Sequence, residues 1–275
     1  MRELTFFLVF LSVEAFAQVN AGIEQAKTLL TQGRRREAVE LLDKTKTKAR
    51  KKYEHEALTG KRKLFLRQFL TADSFEKYQR AKMYLSSDRW IDCLKEIEAI
   101  QPGDQDNKLI LVLKAECETD ANLPERAEKT LGIIWQEEPD DVEAALQLAT
   151  LYFDRKKSEN SLQVLSKINP VLSEHVERTV ILRSKLYVAA EKYSEAIMVL
   201  RDDQEKNIDH IGVIYELADA YMKKPGNDWL ARKYFALFVT RCKRMKPDEL
   251  KRRKLEKEYL KAQEMLTALE QKLSA

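Results

Sequence analysis

Glycine and proline are scarce in this chain, 7 and 6 among 275 residues. Together they make up under 5% of the sequence, where a soluble domain carries roughly 12%. Folds built on tight turns need more of both. β-Sandwiches and β-barrels are therefore excluded, as are glycine-rich loops for nucleotide phosphates. Cysteine is equally sparse. Cys93, Cys117 and Cys242 form no CxxC pair, and such an odd set is neither a disulfide framework nor a metal site. They read first as small apolar core residues, with oxidation of Cys93 against Cys117 as the alternative. The histidines His55, His175 and His210 have no HxxxH or HExxH spacing, so zinc has no ligand set. No GxxxxGK[ST], GxSxG or GxGxxG motif occurs, and no nucleophile–base–orienter set is visible. The expectation is a non-catalytic chain with no cofactor and no metal. Beyond the N-terminus no segment approaches 18 apolar residues, so no transmembrane span is expected.

What the chain does have is charge, 34%, beside 44% hydrophobic residues. That balance suits long amphipathic helices and is too apolar for a disordered chain. Met1-Arg2-Glu3 is followed by an apolar run, Leu4 to Val13, broken only by Thr5 and Ser12, and then by Ala15-Phe16-Ala17. This pattern reads as a secretory signal peptide (1–17) cleaved after Ala17. Ten helical residues span about 15 Å, half a bilayer core, too little for a permanent anchor. The alternative is the buried first helix of a cytosolic protein. Export would place the mature chain in the periplasm or outside the cell. The short signal and the lack of Asn-x-Ser/Thr sequons point to a bacterial source.

A period of about 34 residues runs through the middle. Cys93, Ala127, Ser161 and Ala196 recur at intervals of 34, 34 and 35, each followed four residues later by Ile97, Leu131, Leu165 or Leu200. Residues four apart share a helix face. Ala81, Ala115, Ala149, Ser184 and Ala218 form a second series, and Tyr84, Tyr152, Tyr187 and Tyr221 follow four of them by three residues. Glu118 stands where the remaining aromatic is expected. Each unit thus predicts two helices that approach closely at their small residues. Acidic pairs such as Asp140-Asp141 and Asp202-Asp203 read as caps at turns before helices.

These small-xx-Tyr and small-xxx-aliphatic pairs, with prolines near unit ends such as Pro139, resemble the tetratricopeptide repeat (TPR) family. Five units fall in 74–241, and a degenerate one, with a basic helical segment, in 18–73. The resemblance implies an all-α, right-handed superhelix, a TPR-like solenoid with a C-terminal capping helix. It implies protein or peptide binding in a concave groove lined by the first helices. On that face lie Phe75, Tyr78 and Lys82, then Phe153, then Arg178 and Lys185, and finally Tyr215. Some family members hold a C-terminal carboxylate with a Lys/Asn/Arg clamp, but the asparagines are absent here.

Two segments break the period. Residues 34–67 carry 13 basic and 5 acidic side chains, and 241–257 carry 9 and 3. Over 44–73 one long helix is expected, or two broken near Thr59-Gly60. The basic runs read as solvated faces, with an anionic envelope component (wall polymer or membrane surface) as the alternative partner. No aromatic platform for nucleic acid accompanies them. Residues 242–275 predict a basic capping helix. Its Leu255, Tyr259, Ala262, Leu266, Leu269 and Leu273 repeat at heptad spacing, which fits a cap or a homodimer seam.

Overall fold

The computed structural model describes residues 2–49 and 51–274, and side chains within 17–273. Among them the chain is helical and forms two compact units, Met1–Ile134 and Trp135–Ala275. The first unit holds α1 (Arg2–Thr31), α2 (Arg35–Lys48), α3 (Lys52–Arg67), α4 (Ala72–Ser86) and α5 (Trp90–Glu98). A 3-10 turn, Pro102–Asp104, leads to α6 (Lys108–Asp120) and α7 (Pro124–Glu137), in which the division falls. The second holds α8 (Val142–Asp154), α9 (Ser158–Leu165), α10 (Ser173–Ala189), α11 (Tyr193–Lys206), α12 (Ile211–Lys223) and α13 (Asp228–Lys243). It ends with α14 (Pro247–Arg252) and α15 (Glu256–Ser274).

The five hairpins of the period are α4–α5, α6–α7, α8–α9, α10–α11 and α12–α13. The small residues sit where the helices touch. Ala81, Cys93, Ala115, Ala127, Ala149, Ser161, Ala196 and Ala218 have no exposed surface, and Ser184 has 1%. A larger side chain at any of them would push a helix pair apart. Ile97, Leu131, Leu165 and Leu200 are buried beside them. Glu118 keeps its place by different chemistry. Its buried carboxylate accepts from Thr130 Oγ1 at 2.8 Å and from Arg126 Nε at 3.2 Å, tying α6 to α7 with polar bonds where an aromatic ring packs elsewhere.

The turns inside the hairpins also repeat. Gly33, Asp88, Asn122, Lys156, Glu191 and Gly226 have left-handed backbones, with φ between 57° and 77°. In five of them the next N–H reaches back to the carbonyl five residues earlier, as Arg89 N to Tyr84 O at 2.9 Å and Lys192 N to Tyr187 O at 2.8 Å. This satisfies carbonyls that the helix end leaves open. Glycine adopts that backbone at no steric cost, whereas Lys156 and Glu191 do so against a penalty of about 1 kcal/mol.

The structure corrects four expectations. Cys93 in α5 and Cys117 in α6 are joined by a disulfide, with Cα atoms 6.4 Å apart, because the same stacking that makes small residues meet brings the two thiols together. Asp202 and Asp203 do not precede a helix. They lie in the last turns of α11, and only Asp141 is a cap, accepting from Ala144 N at 2.9 Å. In the segment 44–73, α2 ends at Lys48 and α3 begins at Lys52, and α3 runs straight through Gly60. The C-terminal capping segment is two helices, not one, because Lys254 takes a left-handed backbone between α14 and α15.

The apolar seam of that segment is covered inside the chain. Ala262 and Leu269 are buried in the cluster formed with Phe235, Phe238 and Val239 of α13, and Leu255, Tyr259 and Leu266 pack against it. The seam is therefore occupied as a cap by this chain's own α13. The proposed signal segment is helical from Arg2, and its cleavage point after Ala17 falls within α1. The side chains of 2–16 lie outside the described residues.

Candidate functional site

In the second unit a cavity of about 480 Å³ opens among the first helices of three hairpins and the cap. Phe153 comes from α8, and Lys185, Val188 and Ala189 from α10. Tyr215, Glu216, Asp219 and Lys223 come from α12, and Lys257, Glu258 and Lys261 from α15. First helices supply this surface because their second helices pack on the other face, a consequence of the hairpin repeat. Tyr215 is anchored from behind. Its ring lies 5.3 Å from Phe238 and 5.8 Å from Phe235, and burial raises its phenol pKa.

The charges in the cavity divide into used and unused. Lys185 Nζ lies 3.1 Å from Glu216 Oε1, bridging α10 to α12, and Lys223 pairs with Asp219 at 2.6 Å. Burial lifts the Glu216 carboxyl above its ordinary range, with Lys185 opposing it. Lys257 and Lys261, one helical turn apart on α15, are exposed and make no ion pair among the described residues. Glu258 Oε2 is buried and has no hydrogen-bond donor. A buried acceptor of this kind is rarely left unsatisfied.

Of the residues named from sequence, Phe153, Lys185 and Tyr215 meet here. Arg178 does not join them. Its guanidinium grips Glu143 of α8 through two bonds, at 2.7 and 3.2 Å, and His175 adds a contact at 3.3 Å. Burial raises the Glu143 pKa, but the Arg178 hydrogen bond and charge outweigh it and hold the carboxyl below its ordinary range. Phe75, Tyr78 and Lys82 belong to the first unit, where Phe75 and Tyr78 each lie 5.2 Å from Phe69 and the Lys82 ammonium stands 5.8 Å from the Tyr78 ring. The contribution of α15 was missed. Its Lys257 and Lys261 read as ordinary charges of the basic capping segment until the helix folds back on α13.

The first unit has a polar node that the sequence also disguised. Arg35 stands within the run read as a solvated face, yet it is 1% exposed. Its Nε donates to Phe65 O at 3.0 Å, Nη1 to Gly103 O and Asp106 Oδ1, and Nη2 to Gln68 O and Asp104 Oδ1. All five N–H groups are thereby used. The Asp104 carboxylate also accepts from the backbone of Leu70 and Thr71. One guanidinium thus fixes the end of α3 and the 3-10 turn against the start of α2.

No protein-family model matches the chain, and no curated protein matches it. Among solved structures, a tetratricopeptide repeat protein from Parabacteroides merdae is similar over 92% of this chain and 97% of its own, with 16% identity and a TM-score of 0.54. The TPR domain of P58(IPK) aligns over 91% of this chain and 79% of its own, with 15% identity and a TM-score of 0.33. The stacked hairpins at a 34-residue period and the first of these likenesses together give the chain an all-α, tetratricopeptide-like solenoid fold.

Proposed function

We propose that the chain is a protein-interaction scaffold of the bacterial envelope that binds a segment of another protein in the cavity of its second unit. The observation that carries this reading is the unfinished chemistry there. Apolar surface from Phe153, Val188, Ala189 and Tyr215 adjoins two unpaired lysines and a carboxylate oxygen with no donor. An extended or helical peptide supplies what is missing: apolar side chains, a backbone N–H for Glu258 and an acidic residue for Lys257 or Lys261. Envelope location is supported by the signal-like N-terminus and by the Cys93–Cys117 disulfide, since such bonds persist in oxidising compartments. Val19, Ala26 and Leu30 of α1 pack in the apolar core of the first unit, and cleavage after Ala17 would leave them in place.

The test is affinity purification of the tagged full-length chain from its own cell envelope, repeated with Glu258→Ala and with Lys257→Glu plus Lys261→Glu. One partner is expected to be retained by the wild type and weakened at least ~10-fold by each variant. Equal retention by all three proteins would remove the cavity as the site. Fractionation and N-terminal sequencing check the export reading, with Gln18 as the expected first residue.

A further inference from the structure

The beginnings of α10 and α12 hold a cluster that the cavity does not use. Ser173 is the first residue of α10, His210 immediately precedes α12, and Asp203 lies near the end of α11. Ser173 Oγ is 2.7 Å from His210 Nε2, and His210 Nδ1 is 2.7 Å from Asp203 Oδ2. The other carboxylate oxygen, Asp203 Oδ1, accepts from Asn207 Nδ2 at 2.8 Å. His210 is 2% exposed and Asp203 4%, while Ser173 is exposed. The tautomer that these contacts suit carries its proton on Nδ1 and donates it to the Asp203 carboxylate. Nε2 is then the lone-pair nitrogen and accepts from the Ser173 hydroxyl. Serine to Nε2, and Nδ1 to a buried carboxylate, is the order of contacts that activates a serine nucleophile.

Two independent features converge on the same hydroxyl. Leu172, the residue capping α10, has no side-chain acceptor, so the first-turn amides beside Ser173 keep their N–H groups for another oxygen. Val171, Leu172 and Ile208, within two residues of Ser173 or His210 in the sequence, are exposed apolar side chains at 87%, 64% and 66%. They offer a surface to an acyl chain. Ser173 opens α10 whereas Lys185 to Ala189 close it, roughly 20 Å along the helix, so this site is separate from the peptide cavity.

We propose that Ser173 is an activated nucleophile toward uncharged carboxylic esters, with His210 as general base and Asp203 as the residue that positions it. Oγ bonds to the ester carbonyl carbon as its proton passes to Nε2. The carbon–oxygen bond to the alcohol breaks, and the alcohol leaves with that proton. Water, giving its proton to the same Nε2, then attacks the acyl carbon, and the carboxylic acid departs as the Ser173 hydroxyl is restored. The uncapped N–H groups of the first turn of α10 are the donors available to the oxyanion.

The experiment treats the full-length chain with an alkyl fluorophosphonate, which forms an oxygen–phosphorus bond and expels fluoride, and maps the adducts by peptide mass spectrometry. Labelling at Ser173 is expected to be at least ~100-fold faster than at the exposed Ser86, Ser87 and Ser166 of the same molecule. Hydrolysis of 4-nitrophenyl butyrate is expected to disappear in Ser173→Ala, which removes only the hydroxyl oxygen at an exposed position. Asp203→Asn and His210→Gln should slow labelling at Ser173 and leave Ser86 unchanged. No adduct at Ser173, or a rate equal to that of the surface serines, would overturn the proposal and leave the hydrogen bonds as a tie between neighbouring loops. The comparison among serines within the wild-type chain decides this even if the variants at buried positions unfold.

Discussion

The two units carry the same hairpin but are held together by different means. In the second, an apolar cluster among the described residues extends from Ala196 through Tyr215, Phe235 and Phe238 to Leu269 of the cap. In the first, one apolar cluster lies on α1–α3 and another on α4–α6. Between them stands Arg35 with its ring of acceptors, and within the latter the Cys93–Cys117 disulfide and the Glu118 bonds add cross-links. Apolar packing tolerates one lost contact gradually, because many small contributions remain. A buried guanidinium does not, because each carboxylate it abandons stays buried and unpaired. The first unit should therefore break at single points, and the apolar cluster of the second by erosion.

The largest effect is expected at that node. Arg35→Met should cost about 3–5 kcal/mol, the range for breaking one side of a buried ion pair. Urea unfolding followed by hydrogen exchange should show the loss in residues 1–134 and near-normal protection in 135–275. Uniform loss across both units would contradict the contrast. Next comes the disulfide. It closes a loop with sequence separation 24, so reduction or Cys93→Ser with Cys117→Ser should remove about 3 kcal/mol, again from the first unit alone. Thermal melting with and without reductant measures it.

A smaller effect sharpens the contrast through pH, and it belongs to the second unit. The Glu143 carboxyl is held below its ordinary value of 4.5 by Arg178, so its contribution to stability is complete above that value and is lost as pH falls below it. Glu216 is raised by burial, so it has the opposite sign, and stability declines as pH rises above 4.5. In urea titrations, Glu143→Gln should flatten the acid-side loss by at most about 1 kcal/mol, since this pair is part-exposed, and Glu216→Gln should flatten the decline above it. The smallest effect is a gain. Lys156→Gly and Glu191→Gly should each stabilise by about 0.5–1 kcal/mol by relieving the left-handed turn. Asn122→Gly should do less, since asparagine tolerates that backbone better.

Legibility followed the range of the interactions. The small residues, the aliphatics four positions on and the turn spacing were readable, because each is a local requirement repeated every 34 residues. Phe153, Lys185 and Tyr215 were readable as parts of a groove for the same reason. Arg35 was not: a basic residue in a basic run carries no mark that Asp104 and Asp106 will surround it. Asp203, which looked like half of a capping pair, became the partner of His210 only when α11 and α12 closed their hairpin. Ser173 reached His210 across 37 positions, one repeat, through the stacking of neighbouring hairpins. Lys257 and Lys261 joined the cavity because the left-handed Lys254 turned α15 back over α13.

By itself the sequence determined the class of molecule. Scarce glycine and proline, small residues in a 34-residue register and long amphipathic stretches leave a helix-hairpin array as the consistent outcome, since helix formation and hairpin packing depend on neighbours near in the chain. Tertiary structure alone decided which charges are buried, which cysteines pair, what the seam of the last helix packs against, and which side chains share a cavity. Those are contacts between residues one or more repeats apart. They depend on how successive hairpins stack, a relation that periodic composition repeats in every unit and therefore cannot distinguish.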